Sequence, residues 1–140
     1  MANNTTLRWL PNGKRFISTD STGHSVVLST PDENMGMKAS ELILSALAAC
    51  TSVDVIEILQ KKRTPLTHLE VNVTAEQDQD PPWAFRKIHL NYTLKGEGLN
   101  EKNVAQAIEL SQQKYCSVAA TLRGVAEIST GFRIVRYFIE

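Results

Sequence analysis

The chain of 140 residues is poor in cysteine, in aromatic side chains and in excess charge of either sign. Two cysteines are too few for a scaffold held together by disulfides, and this length supports a core without disulfides or structural metals. Fifteen basic and fifteen acidic residues give a formal net charge of zero, so no broad positive field attracts nucleic acid. We therefore expect a globular protein that has no nucleic-acid partner.

Long apolar runs and targeting signals are also missing. The longest nearly apolar run, residues 42–50, has nine residues, whereas about 20 are needed to cross a bilayer. The first residues lack the basic and then apolar profile of a secretory signal. The sequence thus predicts no transmembrane segment and no membrane partner. It also predicts that the chain is cytoplasmic, the alternative being that a signal was removed.

Short polar turns divide the first forty residues and predict an N-terminal β-meander. Residues 5–10 and 15–19 flank an Asn-Gly pair, which tolerates positive φ and favours a hairpin turn. Residues 24–28 are rich in β-branched side chains and predict a third strand. Proline, aspartate and glycine in residues 29–38 predict an irregular loop.

Residues 39–61 contain neither glycine nor proline and predict the longest helix of the chain. Apolar side chains surround the helix up to Cys50, which predicts a central helix whose N-terminal half is buried on all sides. Beyond Cys50 the apolar positions follow one face only. The basic residues 61–63 and the following Pro65 are typical of a helix end.

The second half of the chain begins with a longer antiparallel pair of predicted strands. Apolar and polar side chains alternate over residues 69–75 and again over residues 88–94. Asn100 can cap the helix that follows, and Ser117 can cap a shorter one. Gly124 is expected to end the shorter helix.

Two closing strands are predicted over residues 125–128 and 132–138. The resulting order is βββ-α-ββ-αα-ββ, and no linker, repeat or low-complexity segment interrupts it. We therefore predict one domain of the α+β class over residues 1–140.

The two cysteines are the main candidates for chemistry. Cys50 lies in the most buried part of the predicted helix, where a cysteine can also serve as a small apolar filler. Cys116 immediately precedes the predicted N-cap Ser117, and the N–H groups of a helix N-terminus lower the pKa of a thiol. A disulfide between them requires Cα atoms within about 7 Å. The sequence leaves open whether they come that close.

Metal and hydrolytic chemistry have little support. The histidines at positions 24, 68 and 89 show no paired spacing, and no C-x-x-C or H-E-x-x-H motif is present, so no metal and no cofactor is expected. Nucleophile elbows and glycine-rich phosphate loops are missing as well. A thiol hydrolase of the Cys-His-Asp type stays open, because its residues meet only in space.

A peroxide-reducing thiol needs a cation that keeps it ionised and a second thiol that traps the sulfenic acid. Arg8 and Arg15 on the predicted meander are the candidate cations. Arg15 follows the hairpin turn directly, whereas Arg8 alternates with apolar neighbours in its strand. Either arginine can equally be a solvent-exposed strand residue.

Four motifs stand out around these candidates: Gly13-Lys14-Arg15, Leu28-Ser29-Thr30-Pro31, Ser40-Glu41-Leu42 leading to Leu47-Ala48-Ala49-Cys50, and Lys114-Tyr115-Cys116-Ser117. Together they resemble the superfamily of osmotically inducible protein C and organic hydroperoxide resistance protein (OsmC/Ohr). The resemblance covers residues 7–135 and implies the OsmC-like fold. Ser40 stands where the best-known branch has a glutamate, and Ser117 stands where it has a proline. Both departures indicate the YhfA-like branch.

The resemblance implies a role for each of four residues. Cys50 is the thiol that attacks the peroxide, Cys116 is the resolving thiol, Arg15 is the cation and Glu41 is the candidate acid. It further implies a cysteine-based peroxidase that reduces organic hydroperoxides in oxidative-stress defence through a redox-active disulfide. Its partner would be a dithiol reductant, either a lipoylated protein or a thioredoxin-like one. The alternative is a non-catalytic dimer of the same fold that responds to redox conditions or binds a small molecule.

Helix geometry adds an expectation about assembly. Glu41 and Cys50 are separated by about 13 Å of rise and about 180° of rotation, so Glu41 cannot serve the Cys50 of its own helix. Two central helices packed antiparallel across a two-fold axis would bring each acid toward the other's thiol. We therefore predict an obligate, intertwined homodimer with composite sites, as the resemblance also implies.

Overall fold

The computed structural model describes residues 3–136. The chain divides into two compact units between Ile43 and Leu44. Strands of the first unit are β1 (Thr5–Leu10), β2 (Arg15–Asp20) and β3 (Ser25–Ser29). The boundary falls inside helix α1 (Ala39–Lys61), and the second unit adds β4 (His68–Gln77), β5 (Phe85–Lys95), α2 (Glu101–Leu110), α3 (Ser117–Leu122) and β6 (Glu127–Ile134). The α+β class is confirmed, whereas the single domain over residues 1–140 stays a prediction.

The first unit is the predicted meander. Its three strands form an antiparallel sheet in the order β1-β2-β3. Asn12 and Gly13 connect the first two strands with φ angles of 72° and 144°, which is the left-handed backbone that an Asn-Gly pair supplies most readily. The turn prediction is therefore confirmed.

Helix α1 has the predicted bounds but not the predicted burial. Its buried residues form one stripe at every fourth position, Leu47, Thr51, Val55 and Leu59. Ile43, in the half expected to be buried on all sides, is 41% exposed. The expectation of complete burial is wrong for a single chain, because one small sheet and two short helices cover only one side of a helix.

By length and composition α1 also qualifies as a membrane span, since an 18-residue window reaches a mean hydropathy of 2.0. The expectation that no segment could qualify is wrong, because serine and threonine interrupt the apolar run without adding charge. Leu47, Val55 and Leu59 have no exposed surface and lie in the hydrophobic core. Their burial favours a core helix over a membrane span.

The second unit contains a mixed sheet in the order β4-β5-β6. Strands β4 and β5 are antiparallel, whereas β6 runs parallel to β5. A parallel neighbour requires a crossover connection, which the helices between β5 and β6 provide. The prediction of two closing strands is wrong, because the described residues form one strand there, β6. Residues 137–138 of the second predicted strand lie outside the described residues.

One face of this sheet carries the core. Alternate residues of β5 are fully or almost fully buried: Ile88, Leu90, Tyr92 and Leu94. Val104, Ala107 and Ile108 of α2 and Ala119 of α3 join the same hydrophobic cluster. Asn100 caps α2 as predicted, with its side-chain oxygen accepting from the Asn103 N–H at 2.9 Å. This cap fixes where the helix layer over the sheet begins.

Candidate active site

The second unit brings the two cysteines together. Cys50 is half-buried on α1, and Cys116 is buried just before α3. The two thiols are close enough for each to shift the pKa of the other, and the Cys50 Sγ also lies 4.0 Å from the Ser117 Oγ. Both cysteines are free thiols. The role of Cys50 as the attacking thiol stays a prediction.

A π-helical turn at residues Ser111–Tyr115 delivers Cys116 to this position. The Cys116 N–H donates to the Ser111 carbonyl oxygen at 2.9 Å, five residues back along the chain. The prediction that Ser117 caps α3 is wrong by one residue. Cys116 itself is the N-cap, and its Sγ accepts from the Ala119 N–H at 3.3 Å. Sulfur rather than the usual oxygen therefore accepts the capping hydrogen bond. The π-helical turn ends one residue earlier than the N-cap pattern suggests, so Cys116 and not Ser117 occupies the N-cap position.

The two thiols have opposite shifts in pKa. Burial acts to raise the pKa of Cys50, but hydrogen bonds from the Cys116 thiol, the Val118 N–H and Ser117 together hold it below its ordinary value. Burial and the neighbouring Cys50 raise the pKa of Cys116 to about 11. Cys50 is therefore the thiol that ionises first, while Cys116 keeps its proton and donates it toward Cys50.

A buried hydrogen-bonded group lies beside the thiol pair. Thr51, the residue after Cys50, has its Oγ1 2.8 Å from the hydroxyl oxygen of Tyr92. The Gln112 side-chain amide donates to the same Tyr92 oxygen at 3.4 Å. Burial raises the pKa of Tyr92, so its phenol stays neutral at physiological pH.

Ser111 connects the π-helical turn to α1. Its hydroxyl donates to the Asp54 Oδ2 at 2.8 Å and lies 3.1 Å from the carbonyl oxygen of Thr51. Ser111 has no exposed surface. No motif or pattern in the sequence singled out Ser111, Thr51 or Tyr92. The only available signal is spacing, since Thr51 and Asp54 lie one and four residues after Cys50 and Ser111 lies five before Cys116.

The other predicted site residues belong to the first unit. Arg15 donates from Nη2 to the Pro11 carbonyl oxygen at 3.3 Å, and its Nε is buried without a hydrogen-bond partner among the described residues. Glu41 forms an exposed ion pair with Lys38 at 3.5 Å. The roles of Arg15 and Glu41 at the thiols stay predictions. Within residues 3–136, no group of three or more His, Cys, Asp or Glu side chains could hold a metal ion.

The geometry defines a class of protein: α+β proteins in which a thiol on a long helix lies near a second thiol. The particular family follows from comparison: a family model described as OsmC-like protein matches residues 31–131, and the chain belongs to that family. This membership confirms the resemblance inferred from the sequence.

Two kinds of relative agree with the assignment. The chain is 34% identical over 132 residues to Protein YhfA of Escherichia coli K12, covering 92% of this chain and 96% of that one. The OsmC-like protein of Mycoplasma pneumoniae superimposes with a TM-score of 0.83 at 20% identity, over 97% of this chain and 99% of that one. The organic hydroperoxide resistance protein OhrB of Bacillus subtilis gives a TM-score of 0.65 at 14% identity, over 95% and 98%. The last two likenesses are of the fold alone.

Proposed function

We propose that the chain is a thiol peroxidase that reduces organic hydroperoxides. Membership of the OsmC-like family supports a redox or peroxide-related function. The observation that carries the finer proposal is the pair of adjacent thiols with opposite pKa shifts. A nucleophile that ionises readily, next to a thiol that keeps its proton, is the arrangement that two-step peroxide reduction requires.

The reaction proceeds in two steps. The Cys50 thiolate attacks the distal peroxide oxygen, the O–O bond breaks, and the alcohol leaves after taking up a proton, so that Cys50 becomes a sulfenic acid. The Cys116 sulfur then attacks the Cys50 sulfur, and water leaves as the disulfide forms. A dithiol reductant, lipoylated or thioredoxin-like, returns both cysteines to thiols and is itself oxidised to a disulfide.

Arg15 and Glu41 complete the proposed site. A guanidinium is always charged, so Arg15 can hold the thiolate and orient a peroxide oxygen. The buried, unpartnered Nε of Arg15 supports this role, since such a donor is costly unless a partner satisfies it. Glu41 would hold that guanidinium in place of the glutamate expected at Ser40. The proposed reaction takes place in the cytoplasm.

The proposed assembly is a homodimer. Ile43, Val53 and Ile56 of α1 are between 37% and 55% exposed, and such apolar surface on one helix favours burial against a second copy. Helix geometry keeps Glu41 away from the Cys50 of its own helix, so a dimer is also what the composite site requires. Sedimentation equilibrium at micromolar concentration should give twice the chain mass of 15.6 kDa. A stable, active species of the single-chain mass would refute the dimer and the composite site.

The peroxidase proposal is tested by separating the two thiols. Cys50→Ser should abolish consumption of cumene hydroperoxide, whereas Cys116→Ser should reduce one equivalent and then stop as the sulfenic acid. Dihydrolipoamide and a thioredoxin system serve in turn as the reductant. Multiple turnovers at equal rates in wild type and Cys50→Ser would refute the proposal.

One observation favours a second candidate, a non-catalytic redox-responsive or ligand-binding dimer. Glu41 is engaged with Lys38, and serine occupies the position of the expected acid. A protein of this kind would show Cys50 reacting with iodoacetamide no faster than an ordinary exposed thiol at pH 7. The peroxidase should react faster, because its Cys50 is ionised to a larger extent.

A further inference from the structure

Five polar residues next to the thiol pair form one hydrogen-bonded group, in which the Thr51 carbonyl oxygen joins the Ser111 and Asp54 side chains to the rest. It is here named the polar clamp: Thr51, Asp54, Tyr92, Ser111 and Gln112. Four of the five are buried, and Asp54 is half-buried. They lie among apolar core residues such as Leu47, Val55 and Leu90. Polar groups at such positions are costly unless each is hydrogen-bonded, so apolar side chains would serve the core equally well. The stability of the core therefore does not explain why these positions are polar.

The clamp joins three elements at one point. Thr51 and Asp54 belong to α1, Tyr92 belongs to β5, and Ser111 and Gln112 begin the π-helical turn. A consistent donor order runs through it. The Gln112 amide donates to Tyr92, the Tyr92 hydroxyl donates to Thr51, and Thr51 donates to the Ala48 carbonyl oxygen at 3.2 Å.

Both cysteines are attached to the clamp through the backbone. Thr51 directly follows Cys50, and its carbonyl oxygen faces the Ser111 hydroxyl. The Ser111 carbonyl oxygen in turn accepts the N–H of Cys116. Ser111, the first residue of the turn, is thus connected to the helix of Cys50 through its hydroxyl. It is connected to the backbone of Cys116 through its carbonyl oxygen.

The turn that the clamp anchors is wider than a regular helix. A π-helical turn closes hydrogen bonds over five residues, whereas an α-helix closes them over four. If Ser111 were released, the segment could relax toward the α-helical register. One residue of an α-helix corresponds to about 100° of rotation, so that relaxation would turn Cys116 away from Cys50.

We propose that Ser111 is a positioning residue, and that its hydrogen bonds to Asp54 and Thr51 hold Cys116 in disulfide register with Cys50. This role rests on the proposed function, because the disulfide is the second step of that reaction. Its consequence can be measured without any peroxide. Glutathione disulfide oxidises the two thiols, forming the Cys50–Cys116 bond and releasing two molecules of glutathione, and the equilibrium reports how well the thiols are aligned.

The test is the redox equilibrium of the protein with glutathione. Ser111→Ala should weaken the Cys50–Cys116 disulfide at least tenfold, which makes the potential of the couple about 30 mV less negative. Ser111→Thr keeps the hydroxyl and should restore the wild-type value. Asp54→Ala removes the acceptor from a half-buried position and should shift the equilibrium in the same direction if Ser111→Ala does not fold.

Ser129→Ala is the matched control. It also removes a serine hydroxyl engaged in a hydrogen bond, 2.7 Å from His89 Nδ1, but on an exposed part of β6. Its potential should equal that of the wild type. A folded Ser111→Ala or Asp54→Ala protein with the wild-type potential overturns the positioning role while leaving the peroxidase proposal intact. Failure of the wild type to form the disulfide at all would overturn both, whereas disulfide formation without peroxide turnover would overturn only the peroxidase.

Discussion

The two sheets of this protein differ in how their side chains are buried. In β1–β3 only Leu28 and Ser29, at the end of β3, are buried, and β1 is exposed over five of its six residues. In β4–β6 the middle strand alternates between buried and exposed residues from Ile88 to Tyr92. A three-stranded sheet becomes independently stable when one face packs on a core. The second sheet has that core, whereas the first has only two buried residues.

The difference extends to chemistry. Both thiols and the polar clamp lie in the second unit, where buried side chains are held by many neighbours. The first unit contributes charged candidates on strands and at the start of α1, such as Arg15 and Glu41. The two proposed redox thiols therefore lie in the well-buried unit, whereas the proposed cation and acid lie in the lightly buried one.

The largest expected effect concerns the buried row of β5. Leu90 has no exposed surface and belongs to the core. Leu90→Ala should lower the free energy of unfolding by about 3 kcal/mol, because the lost transfer energy and the cavity add. Leu7→Ala on β1, where the side chain is 58% exposed, should cost less than about 0.5 kcal/mol.

Urea denaturation of both variants under reducing conditions measures this contrast. Equal costs for Leu7→Ala and Leu90→Ala would remove the distinction between the sheets and would indicate that the first sheet is also covered in solution.

The next effect tests whether the first unit acts on the second. Arg15→Ala should slow alkylation of Cys50 by iodoacetamide at pH 7 by about tenfold, because the proposed site loses the positive charge that favours the thiolate. Arg8→Ala is the control, since it removes the same charge from the neighbouring strand. The rate is followed by mass spectrometry of the modified peptide. Slower alkylation in Arg8→Ala with no change in Arg15→Ala would show that the cation is assigned to the wrong arginine.

The last test is a pH dependence that belongs to the second unit. Folding raises the pKa of Cys116 from 9.0 to about 11, so the unfolded chain loses this proton first as the pH rises. The associated stability is present below pH 9 and is lost between pH 9 and about pH 11. Urea midpoints of the reduced protein should fall across this window, and less steeply in Cys116→Ser. Parallel pH profiles for the two proteins would contradict the raised pKa.

Much of the local structure was predictable from short-range signals. The Asn-Gly turn, the Asn100 cap and the bounds of α1 depend on backbone preferences of a few neighbouring residues, and each was found where expected. The four motifs also identified the family, including both cysteines. The N-cap of α3 was displaced by one residue because a π-helical turn leaves no clear pattern in side-chain periodicity.

The α+β class and the family followed from the residue pattern, which also singled out the two cysteines now proposed to carry the sulfur chemistry. Tertiary structure alone decided that Cys50 and Cys116 meet, that β6 runs parallel to β5, and that Ser111 is bonded across to α1. These pairings join residues 40 or more positions apart, and they depend on how elements pack rather than on neighbouring residues. The same reason explains why the pKa of Cys50 is lowered and that of Cys116 is raised. Both shifts arise from burial and hydrogen bonds that exist only once the core has formed.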